Sequence, residues 1–263
     1  MRQKVETLQS CLRAHAPLVI AYSGGVDSAY LLAMARATLG EKALGVIADS
    51  PSLPRQALAE ALALAEQIGA RVKVVATEEM HDANYVNNPV NRCYFCKAEL
   101  FAKLDQLARD RDFAAIAYGE NADDARQFRP GRQAANEFAV IAPLKDAGLT
   151  KAEIRTLSRE LGLPTADAPA QPCLSSRIPH GTQVTPQALA MIERGEALVR
   201  SLGFKIFRVR HLVENESARA RVQVAPGEMA RLANCASALD DGLRAAGYAA
   251  VEIDPDGYRG PSL

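Results

Sequence analysis

Residues 22–28 read Tyr22-Ser23-Gly24-Gly25-Val26-Asp27-Ser28, directly behind the apolar run 17–21 and directly ahead of an Ala- and Leu-rich stretch, 29–39. An apolar strand that ends in paired glycines and restarts as a helix predicts a tight strand-to-helix turn, because glycine accepts backbone angles that other residues avoid. Such a turn aims successive amides, the hydroxyls of Ser23 and Ser28 and a helix N-terminus at one point, which suits an anion. The pattern differs from the G-x-x-x-x-G-K-[ST] loop: it has no lysine, and an acid, Asp27, sits inside it. Taken alone, the same letters also describe a turn with helix-capping serines.

Working outward, short runs rich in Val, Ile and Ala recur at 43–48, 71–75 and 114–118, and helical spacing of Leu, Ala and Phe recurs at 28–39, 54–68 and 92–109. Strands that are apolar throughout, alternating with helices, predict an α/β fold. The expected form is a doubly wound parallel sheet with its ligand crevice at the carboxyl ends of the strands. Thr150-Lys-Ala-Glu153 is a capping box that opens a further helix to about residue 161. The composition changes at Gly162, after which Pro164, Pro169, Pro172, Pro179 and Pro186 interrupt a stretch with little periodicity. A helix to about residue 201, alternating strands at 205–212 and 219–224, a helix near 228–246 and a last strand at 249–253 predict a smaller α+β domain. The expected division is therefore 1–165, an active-site loop and linker over 166–186, and a C-terminal domain over 187–263.

Thirty-one basic residues balance thirty-one acidic ones, so no overall charge draws this chain of 263 residues to nucleic acid or membrane. The first ten residues are polar and charged, unlike a signal peptide, and no apolar run has the length to span a bilayer. Five cysteines, an odd number, do not make a secreted disulfide framework. These features lead us to expect a cytoplasmic enzyme.

Several residues carry chemistry. Asp49 and Ser50 follow the second predicted strand, where polar side chains reach a nucleotide base or ribose, although a capped turn explains them equally. Gly119-Glu-Asn-Ala-Asp-Asp124 follows the fourth. There Gly119 and Asn121 fall in the same crevice, and Asp123 and Asp124 suit Mg²⁺ bridging phosphate oxygens. A helix start favours acids through its dipole as well. Cys93-Tyr-Phe-Cys96 opens a predicted helix between Arg92 and Lys97, a setting that favours thiolates or metal ligation, yet it supplies only two ligands. Cys173, in Pro172-Cys-Leu-Ser-Ser-Arg177, lies on irregular chain beside an arginine and reads as reactive, whereas Cys11 and Cys235 read as buried thiols. Arg208 and Arg210 share one face of a predicted strand and suit phosphate recognition, or simply an exposed polar face.

The loop at 22–28 resembles the pyrophosphate-binding loop of the ATP-pyrophosphatase, or PP-loop, superfamily, whose domain is of the adenine nucleotide alpha hydrolase type. More specific segments follow in order: Arg92-Cys-Tyr-Phe-Cys-Lys97, Gly119-Glu-Asn-Ala-Asp-Asp124, Arg129-Pro-Gly131, Leu149-Thr-Lys-Ala-Glu-Ile154, Leu161-Gly-Leu-Pro-Thr165, Cys173-Leu-Ser-Ser-Arg-Ile-Pro179 and Gly257-Tyr-Arg259. Together they resemble the LarE family, ATP-dependent sulfur transferases that help build a nickel-pincer nucleotide cofactor. The resemblance implies ATP on Ser23, Gly24, Gly25, Val26, Asp27 and Ser28, with Mg²⁺. It also implies adenylation of a carboxylate of pyridinium-3,5-biscarboxylic acid mononucleotide with release of pyrophosphate. A cysteine sulfur then displaces AMP, and cleavage of the protein C–S bond leaves a thiocarboxylate.

Cys173 holds the family's sulfur-donor position. In some members that cysteine is sacrificed. Others hold a [4Fe-4S] cluster on three cysteines and carry an extra sulfide on the open iron. Cys93, Cys96 and Cys173 match that second inventory, so cluster-dependent transfer fed by sulfide or a sulfur-donor system is expected ahead of sacrifice of Cys173. The resemblance further implies Arg177 as a stabiliser of the acyl-adenylate or leaving phosphate. It implies Arg208 and Arg210 on the substrate phosphate where subunits of a homo-oligomer meet. Two departures stand out: Ala166-Asp-Ala-Pro-Ala-Gln-Pro172 replaces the family's Trp-Asp-Lys-Pro-Ala-x-Ala, and Ser175 replaces the usual Ala, adding a hydroxyl near the thiol. Two other readings share the loop. A tRNA thiolase would need a basic RNA-binding surface. An amide-forming synthetase such as NAD or GMP synthetase would use ammonia and have no need of the three cysteines.

Overall fold

A computed structural model describes residues 1–126, 130–169 and 171–258. Arg129 and Arg259, which carry part of the resemblance, and Ala170, in a segment that departs from it, lie outside the described residues. In chain order the elements begin with α1 (Arg2–Ala14), β1 (Leu18–Ala21), α2 (Val26–Leu39), β2 (Ala43–Asp49), α3 (Arg55–Ile68) and β3 (Val72–Ala76). Next come α4 (Ala83–Val86), α5 (Arg92–Asp110), β4 (Ala115–Tyr118), α6 (Pro130–Glu137), α7 (Pro143–Asp146) and α8 (Lys151–Glu160). The rest are α9 (Pro186–Ser201), β5 (Phe207–Glu214), β6 (Ser217–Val224), α10 (Met229–Ala233), α11 (Ala236–Ala245) and β7 (Ala250–Ile253).

The chain forms two compact units. One comprises Met1–Asp82 and Asn91–Gln171; the other comprises Ala83–Val90 and Pro172–Leu263. The first is built on a parallel sheet of order β3-β2-β1-β4. Leu18 and Ile20 of β1 pack with Leu31, Leu32, Leu64 and Leu157 of α2, α3 and α8, while Val19 packs with Phe101, Leu104 and Ala134 of α5 and α6. Both faces of β1 are covered, which is why it is apolar at every position instead of alternating. Burying such a side chain contributes about 1.5–3 kcal/mol. The strand order reverses between β1 and β4, so the crevice of the doubly wound sheet opens at their carboxyl ends, where the loops at 22–25 and 119–124 lie.

In the second unit β5 pairs antiparallel with β6, and β6 pairs parallel with β7. Asn215 and Glu216, both at positive φ, make the tight hairpin. Phe207 and Val209 point to a core completed by Val199, Val222, Leu239 and Leu243, which leaves Arg208 and Arg210 on the opposite face. The helix expected over 228–246 is interrupted at Asn234 and Cys235 and divided into α10 and α11; the Cys235 backbone, at φ -103 and ψ 8, leaves helical geometry. The proline-rich stretch is not wholly irregular: 3-10 turns form at Pro164–Asp167 and Leu174–Arg177. Ala83–Val90, though it precedes α5, is bonded into this unit. Gly181 N donates to Asn88 O and Val184 N to Val86 O, both at 2.9 Å. No helix among the described residues is long and apolar enough to cross a membrane.

Candidate active site

In the first unit the loop behind β1 closes on itself. Ser23 N donates to Ser28 Oγ (3.2 Å), the hydroxyls of Ser23 and Ser28 lie 3.0 Å apart, and Ser28 Oγ donates to Gly25 O (3.0 Å). Gly24 has φ +76, and a Cβ on it would stand 2.7 Å from that of Ala61, so this position admits only glycine. Gly25 occupies the N-cap of α2 with no side-chain cap, leaving the first turn of a 14-residue helix open to an anion. Gly119 presses on the same turn: a Cβ there would lie 2.8 Å from Ser28 N.

Asp27 is the electrostatic centre of this loop. Its Oδ2 accepts from Lys151 Nζ at 2.6 Å and from Asn121 Nδ2 at 3.4 Å, while its Oδ1 is buried without a hydrogen-bond partner among the described residues. Asn121 Oδ1 in turn accepts from the amides of Asp123 and Asp124, and Asp124 Oδ2 accepts from Asn121 N, so Asn121 ties the loop after β4 to the loop after β1. Asp123 Oδ2 accepts from Lys151 N. Lys151 opens α8 behind a fully formed capping box of Thr150 and Glu153, and Glu153 is paired with Lys4 at 2.7 Å. The hydrogen bonds from Lys4 and Thr150 hold the Glu153 carboxyl down to about 2.

Glu120 anchors the same loop from behind. It is buried, accepts from Tyr118 Oη, is paired with Arg132 Nε at 2.6 Å and lies 3.3 Å from Lys145 Nζ. Burial pushes its carboxyl up, but the bonds from Tyr118 and Arg132 and the nearby Lys145 charge outweigh that and hold it below the usual carboxylate range. Asp49 is paired with Arg55 at 2.5 Å, whereas Ser50 is turned inward and its hydroxyl bonds buried Glu79.

Cys93 and Cys96 lie at the start of α5, three residues apart and so on one face, with Cys93 exposed and Cys96 half-buried. In the second unit Cys173 immediately precedes the Leu174–Arg177 turn. Its Sγ lies 3.2 Å from the hydroxyl of Ser175, which is fully buried and accepts from Tyr85 Oη at 3.1 Å. Arg177, also buried, makes a two-pronged bond to Glu196 (2.7 and 2.9 Å) and donates to the carbonyls of Pro172 and Cys173 and to Ser176 Oγ. Arg210 donates to Ser176 O (2.9 Å), and the Arg208 guanidinium lies 4.6 Å from the Tyr258 ring centre. Burial first, then the Arg177 charge, holds both Arg208 and Arg210 below the usual guanidinium range. Arg177, Arg208 and Arg210 thus gather around buried Glu196, with the Asp254 carboxylate also acting on Arg210. Cys11 and Cys235 are partly buried and not enclosed, which corrects the sequence expectation for them; burial pushes the Cys11 thiol up.

The donor sets differ in what they fit. Asp27, with one buried oxygen lacking a partner, fits a Mg²⁺ that draws its other ligands from phosphate oxygens and water. The expected [4Fe-4S] cluster does not fit in the same way. Among the described residues no three His, Cys, Asp or Glu side chains are gathered as metal ligands. Lys151, Glu79 and Tyr85 were not singled out from sequence. One signal for Lys151 was available: a cation in the first turn of a helix opposes the dipole, which asks for a local carboxylate.

The sequence profile of the family described as NAD synthase matches residues 2–124. The chain is 39% identical to an uncharacterized protein of Synechocystis sp., over all of this chain and 97% of that one. It is 30% identical to the pyridinium-3,5-bisthiocarboxylic acid mononucleotide synthase of Lactiplantibacillus plantarum, over 97% of this chain and 92% of that one. It is 22% identical to a glutamine-hydrolyzing GMP synthase of Chlamydia caviae, over 62% of this chain and 35% of that one. Similarity to the amide-forming synthetases thus stops well short of the full chain, whereas the Lactiplantibacillus match runs through both units. With its loop at 22–28 on a doubly wound parallel sheet and its Cys173 turn, the chain belongs to the LarE family of the PP-loop superfamily.

Proposed function

We propose that the protein transfers sulfur to a carboxylate of pyridinium-3,5-biscarboxylic acid mononucleotide after activating that carboxylate with ATP, in the biosynthesis of a nickel-pincer nucleotide. The observation that carries this reading is the end-to-end similarity to the Lactiplantibacillus synthase. The uncapped first turn of α2 and the Asp27 oxygen without a partner among the described residues support nucleotide phosphates and Mg²⁺ in the first unit. Bound at Asp27, the metal would neutralise phosphate charge. Ser23, Ser28 and the open turn then orient the phosphates, and a substrate carboxylate oxygen attacks the α-phosphorus as pyrophosphate leaves. Arg208 and Arg210, two guanidinium forks on one face of β5, suit the substrate's own phosphate.

Cys173 delivers the sulfur. Its thiolate attacks the acyl carbon, the bond to AMP breaks with its electron pair on AMP, and a thioester joins Cys173 to the substrate. A general base then takes the Cys173 α-proton, the Cβ–Sγ bond breaks with its pair on sulfur, and the substrate departs as a thiocarboxylate while the residue becomes dehydroalanine. Arg177, bound to Glu196 and to the main chain, holds the Cys173 turn; its proposed part is support of that turn and not direct contact with phosphate. The steps above run on Cys173 alone; among the described residues no three ligands are gathered for a cluster.

The test is anaerobic incubation with ATP, Mg²⁺ and the mononucleotide. Pyrophosphate and a thiocarboxylate are expected, together with protein lighter by the mass of H₂S, and Cys173→Ala is expected to release pyrophosphate without product. Repeated turnover at constant protein mass, with iron and sulfide bound after reconstitution, would replace sacrifice with the cluster route. Full turnover by Cys173→Ala with ammonia would sink sulfur transfer altogether.

A further inference from the structure

The outward face of the sheet in the second unit carries a row of charged and polar side chains. Strand pairing sets Arg208 opposite Gln223 and Arg210 opposite Arg221, so these four share that face with Arg219, two residues along β6. Arg219 is paired directly with Glu252 at 2.8 Å and with Glu214, and Arg221 is paired directly with Glu252. Arg210 is held differently. Among the described residues it donates to two neutral acceptors, from Nε to Gln223 Oε1 at 3.0 Å and from Nη1 to Ser176 O at 2.9 Å. Gln223 Nε2 in turn donates to Asp254 Oδ2 at 2.8 Å, and Asp254 Oδ1 accepts from Asp256 N at 3.0 Å. A carboxylate only accepts and a guanidinium only donates, so the amide between them satisfies both in one orientation alone. The bond from Gln223 is the foremost cause holding the Asp254 carboxyl below the usual carboxylate range, which keeps it ionised as that acceptor.

We infer that Gln223 is a positioning residue for the substrate-phosphate site: it aims the Arg210 fork while holding the Asp254 carboxylate one side chain away. The inference rests on the reading of Arg208 and Arg210 as phosphate ligands given above. A guanidinium is planar, so fixing Nε and Nη1 also fixes the direction in which Nη2 points. Setting that direction in advance removes an ordering cost from binding. A carboxylate in place of the Gln223 amide would fix the plane equally well, but it would compete with phosphate for the same positive charge. Arg219 and Arg221 show that arrangement, each matched by Glu252. A neutral amide anchored on Asp254 separates the two tasks. Direction comes from the relay, and the Arg210 charge is left to meet a phosphate.

The experiment is a single-turnover titration of the mononucleotide with ATP and Mg²⁺, following pyrophosphate in wild type, Arg210→Met, Gln223→Met and Gln223→Glu. Gln223→Met is expected to raise the half-saturating mononucleotide concentration about 2- to 10-fold, the range for one hydrogen bond. Gln223→Glu is expected to raise it by more than about tenfold, because a negative charge then stands beside the phosphate. The limiting rate is expected to stay nearly unchanged in both, since the phosphate is held alike before and during reaction. A residue that merely supported the sheet would give the reverse order, because Gln223→Glu keeps the bond to Arg210 and Gln223→Met loses it. A second measurement needs no turnover. The ¹H–¹⁵N signal of Arg210 Nε, identified by its loss in Arg210→Met, is followed as inorganic phosphate is added. It is expected to move with phosphate in wild type and to start from a shifted position in Gln223→Met. Gln223→Glu saturating at or below the concentration for Gln223→Met, a limiting rate lowered as much as binding, or an Arg210 signal unmoved by phosphate or by Gln223→Met each overturns the inference. An Arg210→Met protein that saturates like wild type removes Arg210 from the phosphate site and overturns it too. A wild-type protein that releases no pyrophosphate sinks the proposed function instead, and the Arg210 signal still decides whether Gln223 aims it.

Discussion

Two ion pairs, one in each unit, set the protein's two halves apart. Asp27–Lys151 joins the phosphate loop to the start of α8 through a single 2.6 Å contact, with the lysine 39% exposed and one Asp27 oxygen left over. Arg177–Glu196 is sealed, two-pronged and backed by Val209 N donating to Glu196. The first pair can exchange partners: an arriving cation takes the carboxylate, and phosphate oxygens take the ammonium. The second cannot, since separating its members strands a charge out of water. An exchangeable pair marks a place where ligands come and go, and a sealed pair marks a scaffold. The Cys173 turn thus stands on a fixed base, while the nucleotide loop holds its charges in readiness.

Substitutions can break or sharpen that contrast. The largest effect is expected from Arg177→Met or Glu196→Gln, which should cost about 3–5 kcal/mol of stability in urea unfolding; a loss below 1 kcal/mol would mean that the pair is not sealed in solution. Asp27→Asn should slow pyrophosphate release by roughly 10²–10³-fold, the cost of removing one preset charge-stabilising group, while leaving the unfolding midpoint nearly unchanged. Lys151→Met should weaken ATP binding by about tenfold, with stability within about 0.5 kcal/mol of wild type, as for an exposed site. A large loss of stability in either of these two would place the Asp27 pair with the scaffold.

The smallest effect concerns the support beneath Lys151. The folded Glu153 carboxyl lies near 2, below its ordinary value. It therefore stabilises the fold above the ordinary carboxylate range and loses that contribution as pH falls towards 2. Glu153→Gln should cost about 1 kcal/mol near neutral pH, typical of a helix cap. The unfolding curves of variant and wild type should converge in strong acid; a constant gap at every pH would assign the loss to packing.

Sequence made the frame of the first unit legible because local signals and burial agree there. Runs of Val and Ile at 17–21 and 43–48 mark strands covered on both faces, and Thr150 and Glu153 form the capping box their spacing announces. Pairings across long stretches were not legible. Nothing in the periodicity of α9 distinguishes Glu196, which binds Arg177, from Glu193 one turn earlier. Ser50 looked like a crevice residue, but its hydroxyl turns inward to Glu79, a partner 29 residues away. The three cysteines matched a ligand inventory, yet composition counts ligands without gathering them. Ala83–Val90 was hidden for the same reason, since short polar chain carries no period to reveal where it docks.

That last segment has a consequence for how the protein is made. Ala83–Val90 leaves the ribosome well before the residues that will bond it, among them Thr182, whose carbonyl accepts from Asn88 Nδ2 at 2.8 Å. Domains tend to fold in the order they emerge. The second unit breaks that order, because it cannot close until translation has run through the rest of the first. A fragment beginning at Pro172 would lack Tyr85 and Asn88, so anyone who cuts this protein for expression or labelling must carry the early segment along, or graft it back.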